Sequence, residues 1–286
     1  MIRRPPRSTQ GVSSAASDVY KRQIPLEMRS WVTQQFGSLE SVTGQQIARD
    51  VNRVTGEGTL FNELRARRPN SGLGSSLKRP HFEESSGDLL ANPLDLTPED
   101  PFGRLENHHG ITAANVARFD ALHSLVIFKE FNPLAFTQES LTNHINLAQE
   151  WIARAHTYDP KARYPYILWN CLWRAGGSLV HGLLQVALTR EMHYSKIERL
   201  RRDAEAYRQQ YNTSYFEDLS KVHLSLGCGH IIDGSNVLSH LTPVREKEVL
   251  ILAPNLSNAI SAISVSYTHL RAHETRHDLV CRLLLE

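Results

Sequence analysis

Apolar residues recur along the middle of the chain with the two spacings that distinguish strands from helices. The run over residues 125–128 ends at Asn132 and Pro133, which predicts a buried strand followed by a turn. Over residues 141–155 apolar positions repeat every three or four residues. Thr137 stands before them as a candidate N-cap, so this segment is predicted to be an amphipathic helix.

The same reasoning assigns the elements that follow. Aromatic and branched residues over 164–170 predict a second strand, and residues 179–188 predict a third. The remaining predicted elements are a helix over 197–211 and strands over 230–232 and 249–252. The short connection between the second and third strands favours an antiparallel pair, and the order of elements predicts an α+β domain.

The N-terminal third gives weaker patterns. Residues 24–54 are predicted to be helical, although their apolar positions keep a poor register. Residues 62–107 are dense in Asn, Gly, Ser, Pro and charged residues, which predicts a long loop or a partly disordered segment.

Composition is that of a globular protein. The chain has 286 residues, of which 41% are apolar, enough for a substantial core. No apolar run reaches the roughly 18 residues of a membrane span, and the basic N-terminus lacks the apolar stretch of a secretory signal. We expect a soluble, cytoplasmic protein without membrane contact. The three cysteines are far apart, which favours unpaired thiols: Cys171, Cys228 and Cys281.

Both ends differ in character from the rest. Residues 1–23 and 264–286 resemble translated sequencing-adapter read-through, so we predict that they are artefactual tails outside the fold. The tails contain eight of the 32 basic and four of the 30 acidic residues, which leaves 24 basic and 26 acidic residues between them. Without the basic tail the net charge is no longer positive, so the main argument for a nucleic-acid partner is lost. His269, His273 and His277 have a spacing that could chelate a metal on a helix, but they lie in the second tail.

The segment before and within the third predicted strand contains the candidate chemistry. If residues 179–188 form a strand, His181, Leu183 and Gln185 share one face, because alternate side chains of a strand point the same way. A loop of small residues precedes it, and backbone amides of such a loop can bind phosphate. The candidate phosphate or substrate contacts are Asn170, Gly176, Gly177 and Ser178. Taken alone, these residues favour another interpretation, a His and a Gln whose hydrogen bonds are satisfied within the core.

The residues from Asn170 through Ala-Gly-Gly-Ser-Leu to His181 and Gln185 resemble a known active-site strand. That active-site strand is found in galactose-1-phosphate uridylyltransferases and in related nucleotidyltransferases and phosphorylases of the histidine-triad superfamily. The resemblance covers roughly residues 108–252. It implies a histidine-triad-like antiparallel sheet with flanking helices, incomplete at the C-terminus. The domain would span residues 108–263, after an N-terminal region over 24–107.

The resemblance also implies a reaction, the transfer of UMP between a nucleotide sugar and a hexose 1-phosphate. In that family the second His of a His-x-His-x-Gln motif attacks the α-phosphorus, while the glycine loop, the Ser and the Gln bind the phosphates. Here His181 takes the first His position and Gln185 the Gln position. The implied partners are a nucleotide sugar and a sugar phosphate. No cofactor is expected, and the oligomeric state is open, a homodimer included.

Leu183 departs from this pattern because it occupies the position of the nucleophilic histidine. We therefore expect no covalent transfer by the chain as written. Three explanations remain: an error in the sequence, a natural non-catalytic relative that still binds nucleotide, or a takeover of the attack by His193 or His181. Some family members also bind zinc through a Cys pair and a strand-end His. This chain has no Cys pair, and Phe131 stands at the strand end, so no zinc site is predicted.

Three functional hypotheses follow from the sequence. The first is a uridylyltransferase-type protein that lacks the covalent step, and the second is a non-catalytic module that binds a nucleotide or sugar phosphate. The third is a structural domain that matches the motif by chance.

Overall fold

A computed structural model describes residues 13–14, 24–45, 47–51, 58–66, 88–172, 175, 177, 179–243, 248–273 and 280–283. Its helices, α1 to α8 in chain order, are Leu26–Phe36, Leu39–Thr43, Glu63–Ala66, Pro93–Leu96, Gln138–Tyr158, Ser195–Tyr211, Tyr215–Ser225 and Leu256–His273. Its strands, β1 to β11, are Ser13–Ser14, Ala48–Val51, Gly58–Phe61, Gly110–Ala114, Leu122–Phe128, Tyr164–Asn170, Leu183–Thr189, Gly229–Ile232, Ser235–Ser239, Val249–Leu252 and Val280–Leu283.

A five-stranded antiparallel sheet in the order β11-β6-β7-β5-β4 forms the centre of the fold. Strand β7 lies in its middle, with Gln185 opposite Leu125 of β5 on one side and Leu168 of β6 on the other. The pairing of β6 with β7 confirms the predicted antiparallel pair. Mixed helices and antiparallel sheets confirm the α+β class.

The two faces of this sheet are covered to different extents. One face is fully buried: Val126 of β5 and Leu184 and Val186 of β7 pack with Ile145 and Trp151 of α5. On the other face Ala187 and Thr189 of β7 are buried, but three side chains of β6 and β7 are only half-buried: Leu168, Leu183 and Gln185. Because alternate residues of a strand point to opposite faces, this second face is the side available to a ligand.

Helix α5 covers the buried face and follows the sequence pattern closely. Thr137 caps its first turn: its side-chain oxygen accepts from the backbone N–H of Ser140, and its own N–H donates to the Ser140 hydroxyl. At the other end the backbone N–H of Asp159 donates to the carbonyl of Ala155. The predicted N-cap of this helix is confirmed.

The segment before β4 is packed into the core through Asp100. Its Oδ2 accepts from Trp151 Nε1–H at 2.7 Å and from the Ser124 hydroxyl at 2.5 Å, and all three side chains are buried. Leu105 belongs to the same core as α5. Residues 97–105 of the predicted long loop or partly disordered segment over 62–107 contain no helix or strand, and these buried contacts hold them against the core. Residues 67–87 of that segment lie outside the described residues.

The N-terminal prediction is partly wrong. Helices α1 and α2 are present, and Met28, Val32 and Phe36 form their own buried cluster. Residues 48–51 then form strand β2, which pairs with β3. The sequence had assigned this segment to a helix, but pairing with β3 decides its conformation.

A smaller antiparallel sheet, β10-β9-β8, packs against α7 and α8. Helix α8 also contributes Ile260 and Ile263 to the core of the central sheet. The predicted domain boundary after residue 263 falls inside this helix, and β11 pairs with β6 at the sheet edge. The predicted tail over 1–23 lies mostly outside the described residues. The division into domains and tails stays a prediction.

Within the described ranges, no helix is both long enough and apolar enough to cross a membrane.

Candidate functional site

The loop between β6 and β7 returns tightly onto the end of β6. Leu172 is buried and has a φ of 62°, a left-handed conformation that is unusual for leucine. The backbone N–H of Gly177 donates to the Leu172 carbonyl at 2.8 Å. A Cβ on Gly177 would lie 2.7 Å from the carbonyl oxygens of Asn170 and Leu172, so this position requires glycine. The two other predicted loop contacts, Gly176 and Ser178, lie outside the described residues.

His181 precedes the strand instead of lying on it. Strand β7 begins at Leu183, and His181 occupies the bend before it, so the prediction that His181, Leu183 and Gln185 lie along one strand is wrong for His181. The cause is the position of Gly182: its N–H donates to the carbonyl of Phe131 and its carbonyl accepts from the N–H of Phe128. These two bonds keep Gly182 next to β5 and the turn that follows it, whereas the pairing of β7 with β6 has already ended at Gln185.

Both ring nitrogens of His181 face acceptors in a buried environment. Its Nε2–H donates to the Phe128 carbonyl at 2.8 Å, and its Nδ1 lies 2.7 Å from Oδ2 of the equally buried Asp88. A neutral imidazole has only one N–H, so the Asp88 contact needs a second proton, on the ring or on the carboxyl group. Phe131 packs edge-on against the ring, with centroids 5.2 Å apart. The contacts make His181 a structural anchor of the loop.

Leu183 is the first residue of β7 and stands opposite Ile127. It packs against an apolar cluster that includes Leu90, Ile111 and Ile127. The position that the sequence assigned to a nucleophile is thus surrounded by aliphatic side chains.

Gln185 hydrogen-bonds to a buried histidine that the sequence analysis missed. Its Oε1 lies 3.2 Å from Nε2 of His123, which is fully buried on β5. His123 alternates with Leu125 and Ile127 on the face that also carries Gln185. The alternation was readable in the sequence, but the pairing register that brings His123 to Gln185 was not.

Asn170 ends β6 on the same face. Residues 168 and 185 are paired, so continuing this register places Asn170 opposite Leu183. The structure therefore brings Asn170, Leu183 and Gln185 to one face of two adjacent strands, with Gly177 near the end of β6.

An aromatic cluster borders the other end of this face. Tyr166 and Tyr194 lie with ring centroids 4.6 Å apart, and Phe119 lies edge-on to Tyr194 and 3.7 Å from the ring of His123. The Tyr194 hydroxyl donates to Asp120 at 3.3 Å. These contacts close the sheet face near the start of α6.

His193 is far from the site. It lies beyond the end of β7, against Tyr164, whereas Leu183 begins the same strand. Seven strand residues at about 3.3 Å each separate the two ends by roughly 20 Å. A takeover of the attack by His193 is therefore excluded by position.

His144 supports the site from the buried side. Its ring is stacked on Phe128, with centroids 3.8 Å apart and planes 3° apart, and its Nε2–H donates to the His109 carbonyl at 3.0 Å. Burial lowers the pKa of His144 from 6.5 to about 4, so the ring is neutral at pH 7. Phe128 is the residue whose carbonyl holds His181.

The arginines of α6 have acidic partners on their own helix. Arg201 and Arg202 both donate to Glu198, and these hydrogen bonds, that of Arg201 above all, lower the Glu198 pKa to about 2. Arg199 and Arg208 lie near Asp203 and Glu205. In the part of the chain with described side chains, no group of three or more His, Cys, Asp or Glu residues is placed to hold a metal.

The chain matches no protein-family model, and no curated protein matches its sequence. Solved structures that share its fold include the two that follow. One is the crystal structure of an ADP-glucose phosphorylase from Arabidopsis thaliana with bound ADP-glucose, 15% identical, with a TM-score of 0.50 over 78% of this chain and 76% of that one. The other is a structure of uridylyltransferase, 11% identical, with a TM-score of 0.50 over 77% of this chain and 72% of that one.

The chain has the fold of these two proteins. At these identities the likeness concerns the fold alone, and it confirms the predicted histidine-triad-like antiparallel sheet. The predicted loss at the C-terminus has no support from the comparison.

Proposed function

We propose that this chain is a nucleotidyltransferase-type protein that binds a nucleotide sugar on the half-buried sheet face but does not perform covalent transfer. The reaction that it would not perform is that of galactose-1-phosphate uridylyltransferase, the transfer of UMP between a nucleotide sugar and a hexose 1-phosphate. The observation that carries the proposal is Leu183, which opens β7 between His181 and Gln185, opposite Ile127.

Covalent transfer requires a neutral imidazole with an available lone pair close to the α-phosphorus. Leu183 has none. The His181 ring is held by Asp88 and Phe128 through both nitrogens, and the Nδ1 lone pair of His123 accepts the backbone N–H of Phe119 at 3.1 Å. Neither ring has a free lone pair for attack on phosphorus.

Ligand binding uses the neutral polar groups that remain on this face. The amide of Gln185 and the side chain of Asn170 supply donors near the end of β6. The fold supports a nucleotide-sugar ligand, since the Arabidopsis structure of the same fold contains ADP-glucose. The choice of base and sugar is open, so UDP-glucose and ADP-glucose are both suitable probes.

The experiment compares the unchanged chain with Leu183→His and Leu183→Gln. Each is incubated with UDP-glucose or ADP-glucose labelled at the α-phosphate, and acid-labile label on the protein is measured after denaturation. We expect no label on the unchanged chain or on Leu183→Gln, and label on Leu183→His. Label on the unchanged chain would falsify the assignment of Leu183 as the inactivating residue.

The second candidate function is a non-catalytic binding module, whose site would not support covalent transfer even with a histidine at position 183. It is favoured by the aliphatic surroundings of Leu183, because Leu90 and Ile127 pack where a nucleophilic imidazole would need polar support. This candidate predicts nucleotide binding by the unchanged chain together with no label on Leu183→His. Thermal unfolding of Leu183→His in the absence of ligand establishes that the variant is folded, so that missing label reports chemistry.

A further inference from the structure

The hydrogen bonds of His123 determine where its proton lies. The backbone N–H of Phe119 donates to Nδ1 at 3.1 Å, so Nδ1 carries no proton. A neutral ring with an unprotonated Nδ1 must carry its proton on Nε2. The ring cannot turn easily, because Phe119 packs on it at a centroid distance of 3.7 Å and the side chain is fully buried on β5.

The Nε2 proton in turn determines the orientation of the Gln185 amide. Two amide groups lie 3.2 Å from Nε2, those of Gln185 and Asn115. Asn115 uses its Oδ1 to accept the backbone N–H of Ala117 at 2.9 Å, so the group that it presents to His123 is an NH2 donor. The acceptor for the Nε2 proton is therefore Oε1 of Gln185.

With its oxygen bound, Gln185 turns its NH2 group away from His123. Among the described residues this nitrogen has no hydrogen-bond partner, and Gln185 is half-buried on the face that also carries Asn170 and Leu183. An amide with its oxygen bound presents two N–H donors and no acceptor. Such a group suits an anionic ligand.

We infer that His123 is a positioning residue: it holds Gln185 so that the NH2 group of Gln185 donates to the phosphate oxygens of a nucleoside diphosphate sugar. This inference rests on the proposed function. It adds a residue outside the glycine loop and the motif of β7. His123 itself does not touch the ligand.

The first test needs no ligand. Nitrogen-15 spectra of the imidazole rings, with His123 assigned by comparison with His123→Phe, report which ring nitrogen is protonated. We expect the neutral ring with its proton on Nε2 at pH 7. A proton on Nδ1, or a doubly protonated ring, overturns the inference.

The second test is a double-mutant cycle on binding, read by calorimetry with UDP-glucose and ADP-glucose. His123→Phe and Gln185→Ala each remove one side of the hydrogen bond, and each should weaken binding by about five- to tenfold. The double variant should be no weaker than Gln185→Ala alone, because His123 acts only through Gln185. His123→Gln restores a donor and should recover part of the affinity.

The outcomes separate the two proposals. Binding by the unchanged chain with additive losses in the double variant overturns the positioning role and leaves the proposed function in place. Absence of binding by the unchanged chain overturns both. Thermal unfolding of each variant distinguishes lost affinity from lost folding, and recovery in His123→Gln would show that the lost donor is the cause.

Discussion

His144 gives the sharpest test of the packing that supports the site. Its ring is stacked on Phe128, donates one hydrogen bond to the His109 carbonyl, and has a buried Nδ1 without a hydrogen-bond partner. Protonation of Nδ1 would place a charge in this apolar core. His144→Gln keeps a donor that can reach the His109 carbonyl but does not titrate.

The direction and the size of the change in the free energy of unfolding follow from the two pKa values of His144. The pKa is 6.5 in the unfolded chain and about 4 in the folded one, so between these values the unfolded state binds more protons. The free energy of unfolding therefore falls as the pH decreases from 6.5 towards 4. Each pH unit is worth about 1.4 kcal/mol, so this group alone should lower stability by about 2 kcal/mol between pH 7 and pH 4.5.

The assay is urea unfolding of the unchanged chain and of His144→Gln at several pH values. Other groups titrate in both proteins, so the quantity of interest is the difference between the two stability curves. We expect this difference to change by about 2 kcal/mol over the window, with the unchanged chain losing more on acidification. Parallel curves would contradict a lowered pKa of His144, as would an NMR titration of its ring with a midpoint near 6.5.

Three further predictions concern single contacts. Gly177→Ala would place a Cβ 2.7 Å from two carbonyl oxygens, so urea unfolding should show a loss of roughly 1–3 kcal/mol, and an unchanged midpoint would contradict the tight loop. Asp88→Ala leaves His181 buried without its partner and should cost about 3 kcal/mol, whereas Asp88→Asn, which keeps an acceptor, should cost less; equal losses would argue against the contact. Glu198→Gln should remove stability that is present above pH 4.5 and lost as the pH falls through about 2, since the folded pKa lies below the unfolded one. The stability lost in Glu198→Gln should be only about 1 kcal/mol, because both arginine partners are exposed. An unchanged midpoint of thermal unfolding at pH 7 would contradict this prediction.

The sequence predicted the elements whose signals are local. Helix α5 has a capping residue at one end and Asp159 at the other, and strand β6 is rich in aromatic and branched residues. Strand β9 was missed although a signal existed: Asp233 and Gly234 both have positive φ and form the two-residue turn that joins it to β8. Strand β4 has five residues, three of them Gly or Ala, which gives a weak strand pattern, and its pairing with β5 stabilises it.

The site was predicted only in part, because its decisive contacts are distant in sequence. Asp88 and His181 are 93 residues apart, and His123 and Gln185 are 62 residues apart. A motif gives the order of Asn170, His181, Leu183 and Gln185, but the strand register determines which side chains meet. The departure of His181 from the strand depends on Gly182 and its bonds to neighbouring loops, which no local pattern reports.

Calorimetric titration of the chain with UDP-glucose and with ADP-glucose, repeated on Gln185→Ala, measures whether a nucleotide sugar binds next to Gln185. If the half-buried face of the central sheet binds a nucleotide sugar, at least one of the two ligands should give saturable binding to the unchanged chain. Gln185→Ala should bind it about five- to tenfold more weakly while remaining folded. No binding by the unchanged chain, or equal affinity in Gln185→Ala, would contradict the proposed binding of a nucleotide sugar on this face.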